Sequence, residues 1–247
     1  MISIKTPEEI EIMAEGGRRL GRIKKALEEK IEEGIKASEI EELAVELIAK
    51  EGGQPSFKMV PGYSWATCIN INEGLVHGIP RADMRFEKGD VISVDVGMFY
   101  KGFHTDTSIS VAIDPTSEVK RFLQVGKEAL KKAVKEVRPG KHIYDISKAI
   151  EETVVGAGYS PIRALVGHGV GRELHEEPQI PCFTPSGDSP EIKPGMAFAI
   201  EVMYALGSPD VVQMSDRWTI AMRDGKISGL FEETVAVAAS GPQIITQ

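Results

Sequence analysis

Apolar residues recur at helical spacing near the start of the chain. Ile10, Met13, Leu20, Ile23 and Leu27 follow the stretch Thr6-Pro7-Glu8-Glu9. There Thr6 can cap, Pro7 suits the first helical position and Glu9 closes a capping box, so a first helix is predicted. Ser38 with Glu41 repeats the capping signal ahead of Ile40, Leu43, Leu47 and Ile48, and Gly52-Gly53 ends this second helix. Strand-like runs follow: ATCINI (66–71), VISVDVGMFY (91–100) and FHTDTSISVAI (103–113). The last two are joined near Tyr100-Lys101-Gly102 and read as a hairpin.

The second half of the chain resembles the first. EKGDVISVDVG (87–97) aligns with KPGMAFAIEVM (193–203), setting Gly89 over Gly195 and Asp95 over Glu201, both 106 positions apart. EGIKASEI (33–40) aligns with PGKHIYDI (139–146) at the same offset. DTSISVA (106–112) resembles EETVAVA (232–238), with Asp106 over Glu232 at an offset of 126, so a longer connection is expected in the second copy. The shared order predicts a duplicated helix–helix–strand–hairpin unit, with halves at about 1–115 and 116–247. Two such halves make one α+β domain with an antiparallel sheet.

The acids fall inside apolar strands. A hairpin turning about Tyr100 and Lys101 pairs residues whose numbers sum to 201, which sets Asp95 opposite Asp106. Opposite residues share a face with Cβ atoms about 4.5–5.5 Å apart, and like charges there are destabilising unless a proton or cation lies between them. AFAIEVM buries Glu201 in a strand, and LFEETVAVA must point either Glu232 or Glu233 inward. In VGHGVGRELHEEP, His168 stands between glycines that leave its ring accessible. Four carboxylates and an imidazole form a hard, oxygen-rich donor set suited to a dinuclear Mn, Fe, Co or Zn site. Two dications about 3.5–4 Å apart would balance the four acid charges. GHGVG lacks the spacing of a dinucleotide fingerprint and the lysine of a P-loop, and no G-x-S-x-G elbow is present.

Composition narrows the class further. The chain has 247 residues and a formal charge of −8, with 42% hydrophobic and 27% charged residues, as in a soluble globular protein. The acidic balance argues against a nucleic-acid backbone as partner. The basic run Arg18, Arg19, Arg22, Lys24, Lys25 reads as the wet face of a helix. Cys68 and Cys182 are the only cysteines, too few for a disulfide framework or a cysteine zinc site, which fits a reducing cytoplasm. No secretory signal and no bilayer-spanning apolar stretch is expected.

Taken together, NEGLVHGIP, GDVISVDVGMFYKGFHTDTS, GHGVGRELHEEP, PGMAFAIEVM and FEET resemble the type I methionine aminopeptidases, over almost the whole chain. The resemblance implies a pita-bread α+β fold. Its two pseudo-symmetric halves would surround a curved antiparallel sheet with helices on the outer face, as a single catalytic domain over 1–247. It also implies two divalent ions, drawn from Co, Mn, Fe, Ni or Zn. Asp95 would chelate one, Asp106 and Glu232 would bridge both, and His168 and Glu201 would complete the other site. The family motif selects Glu232 over Glu233.

The same resemblance assigns catalytic roles. Glu201 would move the proton, His77 would lie near the scissile amide, and His175 would donate to the substrate carbonyl and its oxyanion. Tyr63, Cys68 and Trp218 match the positions of the methionine pocket, whereas Phe57 and Val60 depart from the best-known bacterial members. Asn72 and Ser228 fall where some members hold a monovalent cation. The implied activity is removal of the N-terminal methionine of nascent polypeptides, favouring a small second residue. It would be carried out by a cytoplasmic monomer near the ribosome, without nucleic-acid or membrane binding. The alternatives are an Xaa-Pro-directed peptidase of the same fold and a non-catalytic relative. The first usually carries a large extra N-terminal domain, for which 247 residues leave no room. The second tends to lose ligands, and all five are present.

Overall fold

The computed structural model describes residues 2–247, which form four α-helices and two sheets. Helix α1 (Pro7–Lys30) starts as the sequence predicts: Glu9 N donates to Thr6 Oγ1 and Thr6 N donates to Glu9 Oε2. Helix α2 (Ala37–Lys50) starts earlier than predicted. Ala37 N donates to Met84 O and Lys36 N donates to Glu39 Oε1, so Glu39 rather than Glu41 closes the cap. Glu41 then lies on the buried face. Its carboxylate accepts from Ala66 N, Thr67 N and Thr67 Oγ1, tying the helix to the strand beyond.

The first half continues with β1 (Gln54–Pro55), β2 (Thr67–Ile71), β3 (Gly74–Val76), β4 (Val91–Tyr100) and β5 (Phe103–Ala112). The second half comprises α3 (Ser117–Lys135), α4 (Ile143–Gly156), β6 (Ser160–Pro161), β7 (Val166–Gly169), β8 (Glu176–Pro181) and β9 (Ala197–Ala205). It ends with β10 (Val211–Gln213), β11 (Ile220–Met222), β12 (Ser228–Ala238) and β13 (Gly241–Ile244). The main sheet runs β1-β4-β5-β12-β9-β7-β8, with β2 on β4, β6 on β9 and β13 on β12, and all its pairs are antiparallel. A small sheet, β10-β11-β3, lies off it.

Alternation decides which face carries chemistry. Val94, Val96 and Met98 of β4 pack with Leu20 and Ile23 of α1. Phe198, Ile200 and Val202 of β9 pack with Phe122 of α3. Asp95 and Glu201, at the intervening positions, therefore face away from the helices. No helix among the described residues is long and apolar enough to cross a membrane.

The internal duplication is visible in matched backbone bonds. Gly34 N donates to Phe86 O and Gly140 N to Ile192 O; Ala37 N donates to Met84 O and Ile143 N to Pro190 O, all 106 apart. Gly89 and Gly195 both turn with positive φ, 95° and 86°. The downstream offset is corrected. Asp95 pairs with Ser108 and Glu201 pairs with Glu232, so Glu232 corresponds to Ser108, 124 positions earlier, and not to Asp106. Hydrogen-bond register, rather than acid matching acid, sets the equivalence. The hairpin β10–β11 accounts for the longer connection.

The β4–β5 hairpin is also shifted from expectation. Lys101 and Gly102 both have positive φ, 47° and 94°, and form a two-residue turn that pairs Tyr100 with Phe103. Paired numbers therefore sum to 203, not 201. Asp106 faces Gly97, and Asp95 is its diagonal neighbour on the same face.

Candidate metal centre and active site

Strands from both halves deliver their acids to one cavity of about 150 Å³. Asp95 comes from β4, Asp106 from β5, His168 from β7, Glu201 from β9 and Glu232 from β12, and all five line it. Ligand-type atoms of Asp106, His168 and Glu232 lie within 4.8 Å of one another. His168 Nε2 is 3.6 Å from Glu201 Oε1. Of the adjacent glutamates, Glu232 faces the cavity while Glu233 accepts from Lys24 and Thr246 on the helix side. Lys24 thus leaves the wet face predicted for its helix, whereas Arg18 and Arg22 stay exposed.

Glycine makes the crowding feasible. A Cβ at Gly97 would lie 2.9 Å from both Phe57 Cε1 and Ser56 Cβ, and 3.3 Å from Asp106 Oδ1. Those at Gly167 and Gly169 would press on the carbonyls of Ala199 and Glu177. The glycines beside His168 therefore admit neighbouring backbone and do not open its ring, which is buried.

Charge is held here at a cost. Asp95 Oδ1 and Glu232 Oε1 are buried and have no hydrogen-bond partner among the described residues. Burial, then the charges of Asp106 and Glu201, raises the Asp95 carboxyl well above its usual range. Burial and Asp106 do the same to Glu201, and burial with Asp106, Glu201 and Asp95 to Glu232. Burial pushes Asp106 up to about 7 against the opposing Thr107 N–H. His168 moves the other way, to about 3, through burial and then His175. Its Nδ1–H donates to Gly169 O at 2.8 Å, leaving the Nε2 lone pair toward Glu201. Unpaired anionic oxygens beside a free imidazole nitrogen are a donor set that fits divalent first-row metal ions.

The remaining sequence-selected residues surround this cluster. His77, with φ 58°, follows β3 and lines the cavity, as does His175, whose ring meets that of His168 edge-on at 4.5 Å. Burial lowers both pKa values, with His175 adding to the effect on His77. Tyr63 packs edge-on against Trp218 and donates to Thr67 O, and Cys68 pairs with Asp95 across strands. All three line the cavity, together with Phe57 and Val60. Leu174 and Val76 complete its apolar wall; neither has a sequence signal that separates it from ordinary core. Asn72 and Ser228 lie outside the cavity lining, where Asn72 O accepts from Ser228 N at 2.8 Å.

An acid-lined cavity at the centre of a duplicated antiparallel sheet suits a metal-dependent enzyme, and the chain belongs to metallopeptidase family M24, whose profile matches residues 11–239. Within that family it stands among the methionine aminopeptidases. It is 40% identical to methionine aminopeptidase 1 of Bacillus subtilis, over the full length of both chains. The crystal structure of the Thermotoga maritima methionine aminopeptidase superposes with a TM-score of 0.97 at 39% identity, again over all of both chains. The Pyrococcus furiosus prolidase shares the fold with a TM-score of 0.80 and 26% identity, but the chain covers only 65% of it.

Proposed function

We propose that the chain hydrolyses the first peptide bond of polypeptides that begin with methionine. Asp95, Asp106, His168, Glu201 and Glu232 would hold two divalent ions, of Co, Mn, Fe, Ni or Zn. The observation that carries this reading is the pair of buried carboxylate oxygens, on Asp95 and Glu232, that find no hydrogen-bond partner among the described residues. Such ions supply Lewis acidity toward the attacking water and the scissile carbonyl.

The chain's own residues do the rest. Glu201 takes the proton of the attacking water and returns it to the leaving amine. His175, a neutral imidazole at neutral pH, donates to the carbonyl oxygen as it gains charge. His77 lies on the same cavity wall and orients the scissile amide. Tyr63, Cys68 and Trp218, with Phe57, Val60 and Leu174, offer a narrow apolar slot for an unbranched thioether. A tight pocket beyond the scissile bond would favour a small second residue.

The whole chain then acts as one catalytic domain, a monomer that processes nascent chains near the ribosome without contacting nucleic acid. Two free, buried cysteines suit the cytoplasm. The carbonyls of Asn72 and Gly74, which converge on Ser228, suit a monovalent cation. The test is turnover of Met-Ala-Ser and Ala-Pro by protein stripped of metal and then resupplied. Cleavage of Met-Ala-Ser alone, lost on stripping and regained on resupply, is expected. Metal-independent cleavage, or a preference for Ala-Pro, would end this reading.

A further inference from the structure

The seam between the two halves is thin in backbone terms. Strands β5 and β12 lie side by side, yet their ladder has a single register pair, Glu232 with Ser108. Side-chain hydroxyls take over on either side of it. Ser110 Oγ accepts from Leu230 N at 2.9 Å and donates to Leu230 O at 2.8 Å. Thr234 Oγ1 accepts from Asp106 N at 2.9 Å and donates to Asp106 O at 2.7 Å. These stitches are equivalent under the duplication, since Thr234 follows Ser110, and Leu230 follows Asp106, by 124 positions.

Only the Asp106 stitch extends into a charged network behind the sheet. Thr234 N donates to Thr246 Oγ1 at 2.9 Å, and the Thr246 hydroxyl donates to Glu233 Oε2. Lys24 Nζ donates to Glu233 Oε1 at 2.6 Å and to Thr107 Oγ1 at 2.9 Å. The Thr107 hydroxyl donates in turn to Glu232 O at 2.8 Å. Two arms therefore leave one ammonium. The first ends on the backbone of Glu232 and the second on that of Asp106, two acids placed diagonally across the seam. Thr107, Thr234 and Thr246 are fully buried, and the Lys24 and Glu233 side chains nearly so. A buried ion pair gains little net stability over apolar packing, so stability alone is a weak reason for it.

We propose that Lys24 and Glu233 are positioning residues that set the separation of Asp106 and Glu232 from the helix side of the sheet. This rests on the reading of those two acids as metal ligands. The pair does not line the acid-bearing cavity; it acts by fixing where the two strands meet. Outer partners of this kind change metal affinity by roughly 10–100-fold when removed.

The test compares metal-stripped wild type, Lys24→Met, Glu233→Gln and the double variant by calorimetric titration with Mn(II), and by kcat and KM on Met-Ala-Ser. Each single variant should raise the Mn(II) Kd at least about tenfold. It should lower kcat while KM stays within about twofold. The double variant should be no worse than the worse single one, since both act through one network. Leu27→Val, in the buried core of the same helix, should lower Tm and leave the Kd unchanged. Glu233→Gln keeps an acceptor for Thr246, so it reports even where Lys24→Met does not fold. Variants that lose Tm but bind Mn(II) as wild type does would overturn the positioning role alone. Absence of Mn(II) binding by the wild-type protein would instead sink the parent reading and this inference with it.

Discussion

Asp106 faces Gly97 across the β4–β5 hairpin, and its Oδ1 borders, with Phe57 and Ser56, the space that a side chain at Gly97 would fill. The diagonal placement of Asp95 follows from the same register. Gly97→Ala would set a methyl 2.9 Å from Phe57 and Ser56 and 3.3 Å from Asp106 Oδ1. Overpacking of this kind costs about 1–3 kcal/mol. The variant should therefore unfold at lower denaturant, with weaker metal binding, because Asp106 must move as well. Unchanged metal affinity in a folded Gly97→Ala protein would show that the site tolerates a displaced Asp106.

Glu201 separates chemistry from folding. Its carboxylate is raised by burial and by Asp106, so the amide of Glu201→Gln removes a repelled charge without changing shape. The metal-free variant should be at least as stable as metal-free wild type in thermal melts. Turnover should fall about 10²–10⁴-fold, as expected for loss of a general base. Metal content at saturation, measured beside kcat, keeps loss of a ligand distinct from loss of a base. Near-normal kcat in metal-loaded Glu201→Gln would assign the proton transfer to another group.

Metal-free protein should lose stability as pH rises. Asp106 titrates at about 7 in the folded state against about 3.9 in an unfolded chain, so the folded state holds its proton more tightly. Stability from this group is fully present below pH ~4 and is lost as pH climbs to about 7, on the order of 4 kcal/mol in all. His168 works in the opposite sense, because its folded value of about 3 removes stability as pH falls below about 6.5. Subtracting a metal-free Asp106→Asn series from wild type isolates the Asp106 part. The difference should swing toward the variant between pH 4 and 7 and then level off. Added metal should erase the swing. A flat difference would mean that Asp106 is not protonated in the metal-free site.

Much of this architecture is legible in local signals. The Thr6–Glu9 box, the glycines at 89 and 195, and acids set into apolar strands each act within a few residues, and the structure keeps all three. Register is harder to read, because Tyr100-Lys101-Gly102 permits two turn centres and the choice depends on Lys101 adopting a positive φ. Glu41 looks like a capping residue until the bond from Ala37 N to Met84 O starts the helix two residues earlier. Lys24 looks solvated because its partner, Glu233, lies 209 residues away. The hairpin β10–β11 and the cavity walls Val76 and Leu174 carry no pattern of their own; only tertiary packing gives them a place.

His175 offers a test that leaves the five acid and imidazole donors intact. Burial lowers its pKa below the usual histidine value, so it enters neutral solution as an uncharged donor beside His168. His175→Ala should keep wild-type metal content, because the His168 Nδ1 bond to Gly169 does not involve it. Turnover should drop about 10²–10³-fold, as for loss of one oxyanion donor, with KM little changed. His175→Gln, which retains an N–H donor, should recover part of that loss. The acidic limb of the kcat profile should flatten for His175→Gln only to the extent that protonation of His175 limits wild type below pH ~6.5. Equal kcat in wild type and His175→Ala, at matched metal content, would remove His175 from the reaction and leave the oxyanion to other groups.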